Sequence, residues 1–214
     1  MCIYSLLKQV KFLNANVSAV IRVRAKQLLW VMVIIPLLLC LHPASARAEG
    51  DGSAQQASTR YGIALSYAER CDSGEDLGLA QGWGFIQWGH DVLWNNPALQ
   101  GLYFKAEVSA GLSLWPDHRG LTSAGLMLQY YCDAMSTAGF RPYVEAGLHG
   151  IYTDFRMSGQ GQCFNFNPQA GVGFDFGRNL DYFLAFRFQH ISNAELHHDN
   201  DGINTMLCMV GLYF

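Results

Sequence analysis

A histidine and a serine stand two residues apart near the end of the chain, at His190 and Ser192. A serine hydroxyl is a weak nucleophile until a base accepts its proton, and histidine is a common base for this purpose. Two residues apart on a β-strand, both side chains point to the same face. A third group should fix the imidazole tautomer, as in hydrolase triads. We expect Asn204 to do so, because its amide oxygen can accept the imidazole N–H.

Attack on an ester also needs hydrogen-bond donors for the developing oxyanion. The segment after Ser192 offers three candidates for oxyanion or substrate contacts: Asn193, Asn200 and Gly202. Three carboxylates of the same segment are alternatives to Asn204 as the orienting group: Glu195, Asp199 and Asp201. A single His-x-Ser is common, and Asn and Gly are ordinary turn residues. The spacing alone therefore leaves a non-catalytic loop open.

Residues 49–214 contain no run of 18 apolar residues that could form a transmembrane helix. We therefore expect strands to position the candidate residues. Eight segments instead alternate apolar and polar side chains over roughly ten residues, as transmembrane β-strands do. The predicted strands are approximately 60–69, 81–93, 104–112, 123–133, 141–152, 170–177, 180–189 and 204–214.

One face of each clear strand is apolar, which fits either a soluble β-sandwich or a barrel in lipid. Small, Gly-rich polar faces favour a narrow lumen, and the terminal Phe214 resembles the assembly signal of outer-membrane proteins. Aromatic residues near strand ends are typical of an interfacial girdle: Trp83, Trp88, Trp94, Tyr103, Trp115, Tyr130, Tyr131, Tyr143 and Tyr152. We predict an all-β fold, an eight-stranded antiparallel transmembrane β-barrel.

Several charged side chains fall on the opposite faces of the strands, where a barrel would enclose them. They are Lys105, Glu107, Glu145, His149, Asp175 and Arg187. We expect a lumen network that satisfies buried charge, rather than a channel, because side chains fill a barrel of eight strands.

An even strand number places both termini on the periplasmic side, so the last loop, about 193–203, is extracellular. The lipid-facing positions of strand seven continue from Phe188 to His190 and Ser192, and those of strand eight begin at Asn204. A polar group on a lipid-facing wall costs free energy and is a functional candidate. The three side chains therefore share one face of one hairpin, at the depth of the outer leaflet.

Residues 1–48 have the features of an export signal. They carry six Lys or Arg and no Asp or Glu, and an apolar run from Leu28 to Leu41 precedes Ala-x-Ala spacings. We predict cleavage after Ala48, with Ala46 as the second choice, and an outer-membrane barrel over residues 49–214 in a Gram-negative cell. An uncleaved anchor is the alternative. The remaining chain is acidic, which argues against a nucleic-acid partner.

Metal and cofactor sites are not expected. The cysteines at positions 71, 132, 163 and 208 show no Cys-x-x-Cys spacing. His197 and His198 adjoin acidic residues, so a zinc site is the alternative to an exposed loop. We expect no metal and no cofactor. A homodimer is compatible with the sequence, which does not fix the oligomeric state.

The segment from Phe188 to Ala194, together with Asn200 to Asn204, resembles the signature of the lipid A 3-O-deacylase (PagL) family. The resemblance implies an eight-stranded barrel that removes the ester-linked 3-hydroxyacyl chain at position 3 of lipid A, the lipid of lipopolysaccharide. It also implies His190 as base, Ser192 as nucleophile, and Asn200 with the Gly202 region near the oxyanion. The best-studied pattern of that family has Glu at the position of Asn204, whereas outer-membrane phospholipase A uses Asn.

Three other functions remain open at this stage. An esterase acting on glycerophospholipid fits Asn204, although that phospholipase has a larger barrel. A non-enzymatic barrel would tolerate Ser192→Ala. An acyl-transfer barrel would hold its site towards the lumen, which disagrees with the lipid-facing positions of His190 and Ser192.

Overall fold

The computed structural model describes residues 59–93, 96, 99–115, 117–154, 156 and 159–214. The predicted export signal over residues 1–48 and the predicted girdle residue Trp94 lie outside these described residues. In the described part of the chain, no helix is both long and apolar enough to cross a membrane.

Eight antiparallel strands pair in sequence order and close into a barrel, as predicted. Their bounds are β1 Arg60–Arg70, β2 Gly78–Gly89, β3 Leu102–Trp115, β4 Gly120–Tyr131, β5 Phe140–Thr153, β6 Phe164–Phe176, β7 Tyr182–Ile191 and β8 Ile203–Tyr213. β1 pairs with β8 from Gly62–Tyr213 to Arg70–Thr205. This seam removes the open edges, whose unpaired backbone groups would be costly in lipid.

Most observed strand bounds differ from the predicted ones by one to several residues, and three of these differences are informative. β2 ends at Gly89, because a 3-10 turn over His90–Val92 follows it. β6 begins at Phe164 rather than near residue 170; it contains Pro168, and proline is a signal against a strand in sequence. Leu180 lies in a turn with φ of 58° rather than in β7.

Side chains alternate between the two walls of the barrel. In β1, Tyr61, Ile63, Leu65 and Tyr67 are all exposed on the outer wall. The residues between them, such as Ala64 and Ser66, are buried. The outer wall is therefore an apolar surface suited to lipid, and the predicted alternation is confirmed.

The predicted lumen network is also confirmed. Arg187 is fully buried and forms bidentate ion pairs with Glu107 (2.7 and 2.8 Å) and Glu145 (2.6 and 3.1 Å). Lys105 lies 2.8 Å and His149 3.1 Å from Glu107. The positive charges of Arg187 and Lys105 balance the two carboxylates, which offsets the desolvation cost of burying each charge. Asp175, which was predicted to belong to this network, lies in a separate cluster near the start of β1, with Arg60 at 3.2 Å.

Four residues predicted for the aromatic girdle belong to the interior instead. One of them, Tyr103, is partly buried against the core, with its ring centroid 5.1 Å from that of Tyr131. Trp83, Tyr131 and Tyr143 are buried in the lumen. The Trp83 indole N–H donates to the Ser66 hydroxyl at 2.8 Å, and the Tyr131 hydroxyl donates to Asp175 at 2.6 Å. Trp83 and Tyr131 fit the interior because each has a polar tip with a partner inside. The Tyr143 ring packs against the Tyr131 ring, with 5.5 Å between the two centroids. Tyr130 and Tyr152, by contrast, are exposed on the outer wall as predicted.

Candidate active site

The hairpin of β7 and β8 carries the candidate residues next to the loop that joins the two strands. His190 and Asn204 are direct cross-strand partners. The flanking pair Gln189 and Thr205 is buried in the lumen, where the Thr205 hydroxyl donates to the Gln189 amide oxygen at 2.9 Å. Because successive residues of a strand face opposite sides, His190 and Asn204 face the outer wall. His190 and Asn204 therefore lie side by side on one face of the hairpin, as predicted.

The His190 imidazole contacts the Asn204 side chain, with 2.8 Å between Nδ1 and Oδ1. An amide oxygen only accepts, so Nδ1 carries the hydrogen in the neutral ring. The lone pair then lies on Nε2, at the other end of the imidazole. In this tautomer the ring can accept a proton from a hydroxyl group.

Gly202 packs directly against this ring. A Cβ atom built on Gly202 would lie 2.5 Å from His190 Cε1 and 3.2 Å from Nε2. Any side chain at this position would displace the imidazole. Gly202, which was predicted as an oxyanion donor, therefore also leaves the space that the His190 ring occupies.

Ser192 directly follows the end of β7 and is anchored to β6. Its backbone N–H donates to the Phe166 carbonyl at 2.9 Å, and its carbonyl accepts from the Phe166 N–H at 2.7 Å. Its side chain is half-buried, like that of His190. Ala194 and Glu195 then turn the chain with φ of 51° and 63°, a backbone conformation that is costly for residues with a Cβ. The strand is held extended through Ser192 and turns sharply only after it.

Asn193 and Asn200 bond to each other across the loop. The Asn193 backbone N–H donates to the Asn200 amide oxygen at 2.9 Å, and the Asn193 side chain donates to the Asp199 carbonyl at 2.8 Å. Asn193 is fully buried. Its backbone donor is thus engaged inside the loop, whereas Asn200 uses only its oxygen in this contact and retains an NH₂ group as a donor.

A second loop supports this one from the β5–β6 side. The Gly161 N–H donates to the Asp199 carbonyl, and the Asp201 N–H donates to the Gly159 carbonyl, both at 2.8 Å. The Gln160 side chain donates to the Asp201 carbonyl at 2.5 Å. The loop that follows Ser192 is therefore tied to the loop between β5 and β6 through Asp199 and Asp201.

His197 takes part in the loop structure. Its Nδ1 accepts the backbone N–H of Asp199 at 3.1 Å, and its ring lies where a Gly161 side chain would be. Over the described residues, no group of three or more His, Cys, Asp or Glu side chains is arranged to hold a metal ion.

The carboxylate that reaches Asn204 is Asp72, which the sequence did not predict. Asp72 Oδ2 accepts from the Asn204 side chain at 3.0 Å and from its backbone N–H at 2.8 Å. Arg70 Nε lies 2.5 Å from Asp72 Oδ1. The only sequence signal for this contact is indirect, because closure of the barrel brings the outer end of β1 beside the start of β8.

The sequence matches the lipid A 3-O-deacylase (PagL) family over residues 82–213. No curated protein matches the chain.

Two solved structures share the barrel fold. The crystal structure of the outer membrane enzyme PagL superposes with a TM-score of 0.52 at 20% identity, covering 71% of this chain and 98% of that one. The crystal structure of Neisserial surface protein A (NspA) superposes with a TM-score of 0.50 at 13% identity, covering 75% of this chain and 100% of that one. With the family match extending over more than half of the sequence, from within β2 to the end of β8, the chain belongs to the lipid A 3-O-deacylase (PagL) family and is a carboxylic ester hydrolase.

Proposed function

We propose that this protein lies in the outer membrane and hydrolyses the ester-linked 3-hydroxyacyl chain at position 3 of lipid A, using Ser192, His190 and Asn204. The observation that carries the proposal is the 2.8 Å contact between His190 Nδ1 and Asn204 Oδ1 within the segment that matches the family. It holds the imidazole in the tautomer that a general base requires.

The reaction proceeds through an acyl-enzyme. His190 Nε2 accepts the Ser192 hydroxyl proton as the oxygen attacks the ester carbonyl, and the negative charge moves to the carbonyl oxygen. The intermediate collapses, the C–O bond to the sugar breaks, and the imidazolium protonates the leaving sugar oxygen. Water, deprotonated by the same histidine, then attacks the acyl-serine carbonyl. The bond between the acyl carbon and Ser192 Oγ breaks, the imidazolium returns the proton to Oγ, and the 3-hydroxy fatty acid is released. No metal or cofactor is needed for these steps.

The developing oxyanion requires donors outside the triad. The Asn200 amide group and the backbone around Gly202 are the proposed donors, since Asn193 is engaged within the loop. Asn193 instead holds Asn200 in place through its backbone N–H.

The position of the pair on the outer wall suits a lipid substrate. Below His190 and Asn204 on the same wall, Phe188 pairs with Met206 and Phe186 pairs with Cys208. These partly exposed side chains give an acyl chain an apolar path along the barrel without leaving the bilayer. All three proposed triad members belong to one chain, so the chemistry does not require a homodimer.

Reaction with a fluorophosphonate probe tests the proposed nucleophile. We expect labelling of the purified, folded protein at Ser192, and no labelling after Ser192→Ala or His190→Ala. Ser109 and Ser123 are buried in the lumen and serve as internal controls. Active protein that is not labelled, or labelling that persists in Ser192→Ala, would overturn the assignment.

Phospholipid hydrolysis is the second candidate, favoured by the amide rather than carboxylate at position 204. Mixed micelles of lipid A and glycerophospholipid distinguish the two substrates. Release of 3-hydroxy fatty acid supports the proposal, and release of fatty acid from glycerophospholipid alone supports the second candidate.

The proposal also includes export with cleavage after Ala48. N-terminal sequencing of the protein recovered from membranes should begin at Glu49. An intact N-terminus on folded protein would instead favour an uncleaved anchor.

A further inference from the structure

We infer that Asp72 is a positioning residue of the hydrolase: its carboxylate fixes the orientation of the Asn204 amide and thereby the tautomer of His190. This inference rests on the proposed function of Ser192 and His190. Asp72 follows β1 and precedes the segment that matches the family, which begins at residue 82.

The two ends of a side-chain amide differ in hydrogen bonding, because the oxygen accepts and the NH₂ group donates. An asparagine side chain can present either its oxygen or its NH₂ group to a neighbour. If Asn204 presented NH₂ to His190 Nδ1, the imidazole hydrogen would move to Nε2. That tautomer cannot accept the Ser192 proton. A triad with asparagine therefore needs a neighbouring group that selects the orientation of the amide. A carboxylate in the same position would need no such group, because both of its oxygens accept.

Asp72 is such a group. An ionised carboxylate accepts hydrogen bonds and donates none. Its Oδ2 accepts both the side-chain NH₂ group (3.0 Å) and the backbone N–H (2.8 Å) of Asn204. The NH₂ end is thus held towards Asp72, and the oxygen end faces His190 at 2.8 Å. The negative charge also stabilises the imidazolium that forms during the reaction, through the polarised amide.

Asp72 is itself held in place. Arg70 Nε lies 2.5 Å from its second oxygen, and the remaining guanidinium nitrogens donate to the Ser73 carbonyl at 2.9 Å and the Glu75 carbonyl at 3.3 Å. Gly74, with φ of 144°, lies so close to the guanidinium that a side chain there would overlap it. The short loop after β1 is therefore wrapped around Arg70, and it presents Asp72 to the start of β8.

The contact spans the seam that closes the barrel. Asp72 and Asn204 are 132 residues apart in sequence, and the Cys71 N–H donates to the Asn204 carbonyl at 2.9 Å beside them. This orienting contact is therefore complete only when β1 has paired with β8.

The tautomer can be measured without any substrate. In detergent-solubilised protein with isotope-labelled histidine, proton–nitrogen correlation spectra at alkaline pH should show hydrogen on Nδ1 of His190, assigned by loss of the signal in His190→Gln. In Asp72→Asn we expect a mixture of tautomers. Asp154→Asn is the control, because it also removes the carboxylate partner of an arginine, Arg119 at 3.2 Å. These two residues adjoin β4 and β5, which do not pair with β7 or β8. An unchanged Nδ1–H tautomer in Asp72→Asn would overturn the inference.

The rate gives the second test. Asp72→Asn should lower kcat roughly 10–100-fold with little change in KM, as loss of outer partners of reacting groups commonly does. Adding Asn204→Asp to Asp72→Asn should recover much of this loss, because a carboxylate at position 204 needs no orientation. A merely structural role predicts that the double variant is no better than Asp72→Asn, and that result would refute the inference.

The two failures are distinguishable. In one outcome, wild-type protein shows the Nδ1–H tautomer and Asp72→Asn shifts it to a mixture, but wild-type protein does not cleave lipid A. The proposed substrate is then wrong and the positioning role stands. If wild-type protein cleaves lipid A and both Asp72→Asn readouts are unchanged, the positioning role is wrong and the proposed function stands.

Discussion

At the scale of single residues, the amide at position 204 sets the character of the proposed triad. It accepts the His190 N–H as a carboxylate would, but it brings no charge of its own to the imidazolium. Glu195, Asp199 and Asp201 were the predicted alternatives, and the carboxylate that contacts Asn204 is instead Asp72. The negative charge of the Asp72 carboxylate therefore lies one group further from the His190 imidazole than the charge in a triad with aspartate or glutamate.

Gly202→Ala tests the close packing around His190. The added Cβ would lie 2.5 Å from the ring, so the imidazole must move and the rate should fall by about 100-fold, the scale expected for an ångström of misplacement. The measurement is hydrolysis by the folded variant. Gly82→Ala is the matched control, because its Cβ would meet nothing closer than 4.0 Å. Equal rates for the two variants would contradict the described geometry.

The sequence predicted the contact between His190 and Asn204 because strand parity in a hairpin constrains it. Both residues lie on adjacent strands of known direction, and counting alternate positions brings them to one face. Asp72 was missed because its partner is 132 residues away and depends on the β1–β8 register. Pattern alone does not fix the register across a closing seam.

At the scale of strands, the lumen network holds β3, β5 and β7 together. Arg187 of β7 contacts Glu107 of β3 and Glu145 of β5, and all three are buried. The sequence predicted these residues from their place on the polar faces. It did not reveal the individual pairs, because partners across the lumen depend on the barrel's closure rather than on neighbouring strands.

Arg187→Met should destabilise the barrel strongly, because it leaves two buried carboxylates without their main partner. Loss of one member of a buried ion pair costs about 3–5 kcal/mol. Urea unfolding of the refolded protein measures the change. Arg119→Met is the control: Arg119 pairs with Asp154 at the exposed outer end, where such pairs contribute about 1 kcal/mol or less. Similar losses for the two variants would show that the lumen pairs contribute no more than surface pairs.

Strand boundaries were predicted least well where local signals conflict with pairing. Pro168 and three asparagine or glutamine side chains obscured the first half of β6, which is nevertheless paired with β5 throughout. Leu180 continued the apolar alternation of β7 but lies in a turn. In β6, hydrogen bonding to a neighbouring strand outweighed intrinsic propensity. At Leu180, a turn in which its N–H donates to the Gly177 carbonyl at 3.1 Å interrupts the alternation.

At the scale of the whole molecule, the apolar outer wall is what distinguishes a membrane barrel from a soluble one. Leu65 is 69% exposed in the middle of β1, and Leu196 is 67% exposed in the loop after β7. The two leucine side chains are exposed to nearly the same degree, but only Leu65 should contact the hydrocarbon core of the bilayer.

Leu65→Arg should therefore destabilise the protein in lipid bilayers, and Leu196→Arg should not. An arginine at the bilayer midplane costs about 2–4 kcal/mol, and the cost falls towards zero at the interface. Unfolding in liposomes of a short-chain phosphatidylcholine measures the difference. Equal stability of the two variants would contradict a lipid-facing wall.

The mass spectrum of lipid A from a Gram-negative host is the most direct test of the central claim. Cells that express this protein should contain lipid A lacking one 3-hydroxyacyl chain, and cells that express the folded Ser192→Ala variant should contain the intact molecule. Lipid A that is unchanged by correctly folded wild-type barrel would contradict the account.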